Sequence, residues 1–529
     1  MMTYYPQLQT IAETIVFHAQ HQANTVALIH ESDSITYSDL NRSSNRTAYG
    51  IKIFGLQPGA RVAYLGKESV AYYDVLFGCA KSLTVLVPIN WRLTAEEVEH
   101  ILKDSGTQLI FVDLDLKSMI TQLRDSLPEL LHVIVVDGSV DEKIESAIGF
   151  KEWQQEFPDD DHQLQGKSED AIVQLYTSGT TGLPKGVVLA HRSFFKIRES
   201  LAKTQLDWID WQPGDISLIG IPGFHIGGLW WAMQGFAAGI TNVAMKVFVP
   251  HDAVKLIEEL RVTIACVVPA MIQMMLSDRK LTETNFTSLR KLVYGGSPIS
   301  ETLLEQGLQI MQCSFAQIYG LTETGNTAIC LPPQAHIPGS PRMKAAGLPY
   351  PGVSLKVIDR DGELLPVGEI GEVCIRTPAC MIEYWKNPQA TKTTLIDGWI
   401  HTGDVGYLDT ENYLYIFDRI KDVIIVAGEN VYPTEVENAL SKHSAVFDVA
   451  VIGIPDKRWG ESIKAFVVLR DEQHVSAREL LLFLKGKIAD YKTPSQFDFI
   501  NNIPRNPSGK ILRRKLRDQY WMHMDRKVN

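Results

Sequence analysis

Along the first hundred and twenty positions, short aliphatic runs alternate with amphipathic stretches. Residues 61–65, 84–88 and 109–112 are β-branched and apolar and predict strands. Residues 38–50 predict a helix, and so does the stretch from Thr94 to Lys103, where Thr94 and Glu97 stand at capping-box spacing. Strand–helix alternation implies parallel sheet with helices on its faces. Residues 171–176 and 186–190 predict two further strands with a small, polar connection between them. From Ile216 to Met245 there is no Asp, Glu, Lys or Arg. That is long enough to span a bilayer, but Pro222 and the interspersed glycines favour strand (216–221), loop (222–228), helix (229–238) and strand (240–247), with a spanning helix as the lesser alternative. Residues 406–408 and 413–417 predict a hairpin, whose count sets Asp404 opposite positions 417–419. The charged break at 419–422 marks a boundary. Beyond it, helices at 432–442 and 477–488 and strands at 446–452 and 464–468 predict a small α+β unit.

Length changes the picture: 529 residues are enough for two or more domains, each with its own core. Apolar and charged fractions of 45% and 21% are ordinary for a globular protein. A net charge of −11 argues against a general nucleic-acid binder. The first Lys or Arg is Arg42, so no secretory or transit signal is expected. Six scattered cysteines without a C-x-x-C pair argue against disulfides and zinc sites and fit a cytoplasmic protein.

Candidate chemistry gathers first at Tyr176–His191, Y-T-S-G-T-T-G-L-P-K-G-V-V-L-A-H. Its glycines let backbone N–H groups approach an anion, and its hydroxyls and Lys185 add donors suited to phosphoryl oxygens. It is not a Walker A loop, because no Gly-Lys-[Ser/Thr] and no helix follow. A flexible polar hairpin fits the composition equally well. His225 sits in P-G-F-H-I-G-G at a strand-to-helix turn, a common ligand position in α/β sheets, although a lone histidine is more often structural. Glu323, in Q-I-Y-G-L-T-E-T-G, is by itself a loop carboxylate; beside a triphosphate it could hold Mg²⁺. Asp404 and Arg419 form either a structural ion pair or two hydrogen-bonding groups for a ribose diol. The tail P-R-N-P-S-G-K followed by I-L-R-R-K-L-R holds six cations from Arg505 to Arg517 and no acid. Its arginines read as surface charges, whereas Lys510 sits on a flexible Ser-Gly turn.

In this order, the motifs resemble those of the acyl-adenylate-forming superfamily, which includes acyl-CoA synthetases, coumarate-CoA ligases, firefly luciferase and peptide-synthetase adenylation domains. T-S-G-T-T-G-x-P-K-G is the most specific of them. The resemblance implies an α/β fold: a large N-terminal domain (1–418) of sheets flanked by helices plus a small β-barrel, a hinge (419–422), and a small α+β C-terminal lid (423–529). It also implies ATP, Mg²⁺ and coenzyme A as cofactors. The nucleotide would lie against Thr177, Ser178, Gly179, Thr180, Thr181, Lys185, Gly295, Gly296, Ser297, Gln317, Ile318, Tyr319, Gly320, Thr322, Asp404, Ile416 and Arg419. Tyr319 would stack on adenine and Glu323 would hold Mg²⁺. Lys510 would bridge carboxylate and α-phosphate, with Thr322, Glu323 and His225 completing the catalytic set. The acyl group would meet His225, Gly228, Trp230, Tyr294, Gly296, Gly320 and Leu321. Lys421 would be the pivot, and Gly428, Glu429 and Asn430 would face the pantetheine after the lid turns. Relatives that adenylate amino acids carry an aspartate where His225 stands, which points to an apolar acid. Gly223 replaces a commoner methionine, which leaves the acyl-pocket shape open.

The expectation is an AMP-forming acyl-CoA synthetase acting on a fatty acid, as a monomer or homodimer without a transmembrane segment, with peripheral membrane contact if the acid is long. An acyl-AMP ligase loading a carrier protein and an aryl-acid CoA ligase are the alternative enzymes. A non-catalytic nucleotide or membrane-surface binder is the alternative class, against which the intact Lys185, Glu323, Asp404, Arg419 and Lys510 argue.

Overall fold

The computed structural model describes residues 3–136, 148–161, 163–177, 184–206, 208–278, 281, 285–426, 428–456, 458–506 and 509–521. A large N-terminal domain contains two long sheets. One has nine strands, with a parallel centre formed by Ser314–Tyr319, Lys291–Gly295, Ile264–Val267, Ile216–Ile219 and Thr241–Ala244. The other has eight strands, with Arg61–Leu65 parallel to both Val85–Ile89 and Thr107–Val112. Their strands are buried on both faces and accordingly read as continuous apolar runs. Helix Ile226–Ala238 lies in the core between them, with Trp231, Met233 and Phe236 fully buried. The charge-free stretch is thus buried core, and no helix among the described residues is long and apolar enough to cross a membrane.

An antiparallel five-stranded sheet follows, built from Ser354–Ile358, Gly371–Arg376, Leu395–Ile396, Trp399–Leu408 and Leu414–Arg419. The small C-terminal domain has its own five-stranded sheet and its own core around Val436, Val451, Val467 and Leu480.

Several boundaries differ from the sequence reading. The capping box at Thr94 is formed, and helix Ala95–Ser105 follows it. Helix Ile226–Ala238 starts three residues before the expected position 229, because the extended His225 is its N-cap and Gly227 and Gly228 lie inside it. A Cβ on Gly228 would fall 2.1 Å from the Ile221 carbonyl oxygen, so only glycine lets the helix press on the preceding loop. In the C-terminal domain the expected strands extend to Val446–Asp456 and Gly460–Leu469, because they pair with each other as one long hairpin. Just past the hinge, Ile424–Val426 pairs with Glu429–Val431 as a short hairpin to which the sequence reading assigned no element.

Candidate functional site

Asp404 and Arg419 are Cα partners in the ladder between Trp399–Leu408 and Leu414–Arg419, as the hairpin count predicts. Arg419 Nε donates to Asp404 Oδ1 at 2.7 Å, and Tyr319 Oη donates to Asp404 Oδ2 at 2.6 Å. The aspartate stands on an irregular stretch. Register shifts on both sides of it, and Gly403 takes φ +67°. Such bulges re-aim a side chain. Glu372 supports this one: Oε1 accepts from the Gly403 N–H at 3.0 Å, and Oε2 lies 3.3 Å from His401 Nδ1. Cys374 completes a group whose ligand-type atoms lie within 4.8 Å of one another, but these mutual hydrogen bonds already account for the acid and the imidazole.

A second set of charges lies close by. Glu323, on the turn Thr322–Thr324, accepts from Tyr384 Oη at 2.6 Å. Lys185, which opens strand Lys185–Ala190 opposite Thr177, puts its ammonium 5.4 Å from the Tyr384 ring. Burial works against the Arg419 charge, yet Asp404, Tyr319, Glu323 and Asp422 hold its pKa above the ordinary value. Ser178, Gly179, Thr180 and Thr181 lie outside the described residues.

Glycines stand at the ends of two neighbouring strands, Lys291–Gly295 and Ser314–Tyr319. A Cβ on Gly295 would meet the Ile318 carbonyl oxygen at 2.4 Å, and one on Gly320 would meet the Asn326 carbonyl oxygen at 1.9 Å. Gly296 is exposed with φ +81° and is followed by the half-buried Ser297. Gln317 and Ile318 belong to strand Ser314–Tyr319, and Ile416 sits opposite Gly406.

Lys510 reaches this place from the far end of the chain. The turn that carries it is tied: Asn506 Oδ1 accepts from the Lys510 N–H at 2.8 Å, and Arg505 Nη1 donates to the Gly509 carbonyl at 2.7 Å. Arg505 in turn forks onto Asp448 at 2.8 and 2.9 Å. Gly509 has φ +78°, and a Cβ there would lie 3.1 Å from Val268 and 3.2 Å from Ala270 of the N-terminal domain. Val268 is also the neighbour of Gly296. The Lys510 pKa is lowered to about 8, first by burial and then by Arg419, against the pull of Asp404 and Asp422. Part of the tail corrects the surface reading of its arginines. Arg513 bonds Glu437 at 2.8 Å with both side chains 12% exposed, because the helix Arg513–Trp521 packs on strand Val446–Asp456. Arg505 is likewise a strut, whereas Arg514 is exposed.

His225 Nε2 is buried with no partner among the described residues, and burial with Arg92 nearby lowers its pKa to about 4, so it is neutral. Asn326 Nδ2 is buried and unpartnered in the same sense, and Asn326 Oδ1 lies 3.7 Å from where a Gly227 Cβ would stand. Trp230 is buried in the core and Leu321 is half-buried. Tyr294 is fully buried, and its hydroxyl meets His336 Nε2 at 3.1 Å.

Lys421, close enough to Lys510 to act on its charge, also borders a second space with Gly428 and Asn430. They line a cleft of about 1210 Å³ between the five-stranded sheet and the C-terminal domain, together with Arg360, Tyr432 and Trp459. Glu429 is exposed at the start of strand Glu429–Val431. Tyr384 and Asn326 escaped the sequence reading. The dipeptide Tyr384-Trp385 was a signal for the first; nothing local marks the second.

The AMP-binding enzyme family matches residues 16–385, and its C-terminal domain matches residues 435–510. A fatty acid–[acyl-carrier-protein] ligase of Streptomyces coeruleorubidus is 57% identical over 527 residues, 99% of each chain. A long-chain-fatty-acid–CoA ligase of Mycobacterium tuberculosis is 35% identical, over 92% of this chain and 93% of its own. The crystal structure of the anthranilate CoA ligase AuaEII in complex with anthranoyl-AMP has a TM-score of 0.89 at 26% identity, covering 99% of this chain and 98% of that one.

Proposed function

The chain belongs to the AMP-binding enzyme family, and from that premise we propose that it activates a fatty acid with ATP and hands the acyl group to a phosphopantetheine thiol. A carboxylate is a poor electrophile. Attack of its oxygen on the α-phosphorus of ATP gives acyl-AMP and pyrophosphate, and the adenylate is a good leaving group. Attack of a thiol on the acyl carbon then gives a thioester and AMP.

The convergence of Lys510 with Arg419 and Asp404 is the observation that carries this reading. Asp404 is proposed to accept from the ribose hydroxyls, with Arg419 and Tyr319 fixing its orientation. Lys185 and the Ser178–Thr181 stretch would hold the phosphates. The hard oxygens of Glu323 suit Mg²⁺, which would neutralise phosphoryl charge when bound. Lys510 would stabilise the charge that builds between carboxylate and α-phosphate. His225, neutral and with a nitrogen unpartnered among the described residues, would bound the carboxylate end of the acid.

The second step needs the same acyl carbon to meet a different partner. We propose that residues 419–422 are the hinge between domains 1–418 and 423–529. Turning there would exchange the Lys510 face for the Gly428–Asn430 face. A carrier protein has the support of the relative at 57% identity as acceptor, and coenzyme A that of the relative at 35%. We place the carrier protein first.

The test is pyrophosphate release with MgATP across linear and aryl acids, followed by addition of coenzyme A or a phosphopantetheinylated carrier protein. Release is expected with linear acids, and thioester with the carrier. A folded protein that releases no pyrophosphate with any acid would overturn the reading; thioester with coenzyme A alone would move the acceptor.

A further inference from the structure

Tyr384 stands on the two-residue strand Glu383–Tyr384, which pairs antiparallel with Lys185–Ala190, with Tyr384 and Val187 as Cα partners. The segment around it is fastened to both charged groups of the site. The Trp385 N–H donates to the Gly186 carbonyl at 2.7 Å, next to Lys185, and the Met381 N–H donates to the Glu323 carbonyl at 2.8 Å. Tyr384 itself is 6% exposed, and its N–H donates to Thr391 Oγ1 of helix Pro388–Thr394 at 3.0 Å. Trp385 anchors the next position: its Nε1–H donates to the Asp104 carbonyl at 3.0 Å, and the Arg61 guanidinium lies 3.3 Å from its ring centroid.

The phenol so held meets two opposite charges. Its hydroxyl donates to Glu323 Oε1 at 2.6 Å, and the Lys185 ammonium lies 5.4 Å from its ring centroid, within cation–π range. Arg419, whose charge Glu323 supports, is engaged with Asp404 at 2.7 Å instead. A direct pair between Glu323 and a cation would commit both groups to each other. A phenol is uncharged at neutral pH, so it orients a carboxylate without neutralising it and leaves the full negative charge to a metal. We propose that Tyr384 is the positioning residue for Glu323: its hydroxyl holds one carboxylate oxygen, which leaves the other to Mg²⁺, and its ring keeps Lys185 alongside for the phosphates. This rests on the reading of Glu323 as the metal ligand.

The experiment measures ATP affinity by calorimetry, without acid substrate, in EDTA and in saturating Mg²⁺, for the wild type, Tyr384→Phe, Tyr384→Leu and Glu323→Gln. The ratio of the two dissociation constants is the gain due to the metal. Thermal unfolding checks that each protein is folded, and Tyr384→Leu serves if the phenylalanine variant is not. The wild type should bind ATP more tightly with the metal, and Glu323→Gln should lose most of that gain. Tyr384→Phe should cut the gain by about tenfold and keep metal-free affinity within about twofold, because the ring beside Lys185 remains. Tyr384→Leu should cut the gain equally and also weaken metal-free binding by roughly two- to fivefold. A folded Tyr384→Phe with an unchanged gain, beside a Glu323→Gln that loses it, overturns the positioning role and leaves acid activation standing. Equal weakening with and without metal in Tyr384→Phe overturns it too, since a purely structural role would give that result. A Glu323→Gln that keeps the gain overturns the metal assignment and the role of Tyr384 with it.

Discussion

Lys510 shows what one residue can report about a site. Its ammonium is held among Arg419, Asp404, Asp422 and Lys421 by a turn tied through Asn506 and Arg505. Lys510→Ala should lower the adenylation rate by roughly 10²- to 10³-fold. It should spare thioester formation from supplied acyl-AMP, and separate assays of the two half-reactions check this. Equal loss in both would contradict the assigned role. The pKa adds a direction. A lysine loses its charge as pH rises through its pKa, here lowered to about 8. Adenylation kcat/KM, which reports the free enzyme, should therefore fall above about pH 8. In Lys510→Arg, whose guanidinium stays charged, that fall should move to higher pH.

At the scale of elements, short irregular pieces carry the chemistry and regular ones hold them. The Gly403 bulge aims Asp404, and the turn Ile420–Asp422 joins the sheet to the C-terminal domain. Lys421 lies in that turn, with its carbonyl accepting from Arg517 at 3.3 Å. Proline fits the φ of such a turn and would stiffen it. Lys421→Pro should keep pyrophosphate release within a few-fold and abolish most thioester formation, because it holds the orientation in which Lys510 faces Arg419. A variant active in both half-reactions would reject the pivot. Elements with a local cause were legible beforehand. The Thr94–Glu97 capping box, the strand Arg61–Leu65 and the Asp404–Arg419 register each follow from neighbours in sequence. The early start of helix Ile226–Ala238 and the hairpin after the hinge were not, since the first rests on the close approach of Gly228 to the Ile221 carbonyl and the second joins its sheet through Val426 and Gly460.

At the scale of the molecule, the two domains meet through buried contacts beside the hinge, where Asp418 Oδ2 accepts from Thr434 and Phe417 stacks on Tyr432, and through exposed ones farther out. Lys442 pairs with Glu301 at 3.1 Å, and Gln273 donates to the Phe447 carbonyl at 3.1 Å. Exposed pairs of this kind are worth about 0–1 kcal/mol, a small obstacle to the proposed turning of the lid. Cysteines introduced as Gln273→Cys and Phe447→Cys should, when oxidised, retain one round of acid-dependent pyrophosphate release and lose thioester formation, with recovery on reduction. Full turnover in the oxidised protein would argue against lid rotation.

The order of motifs, the α/β class and the candidate charges were set by the sequence itself, because each is a matter of residue type and short spacing. What the linear chain could not decide was which distant groups share a space. Tyr384 joins Glu323, Asn326 faces the His225 loop, and the Tyr72 ring takes the volume beside Gly223. Arg513, read as a surface cation, is a half-buried strut on Glu437. Periodicity and composition act over a few residues, whereas burial and steric exclusion act between segments that only the folded chain brings within contact.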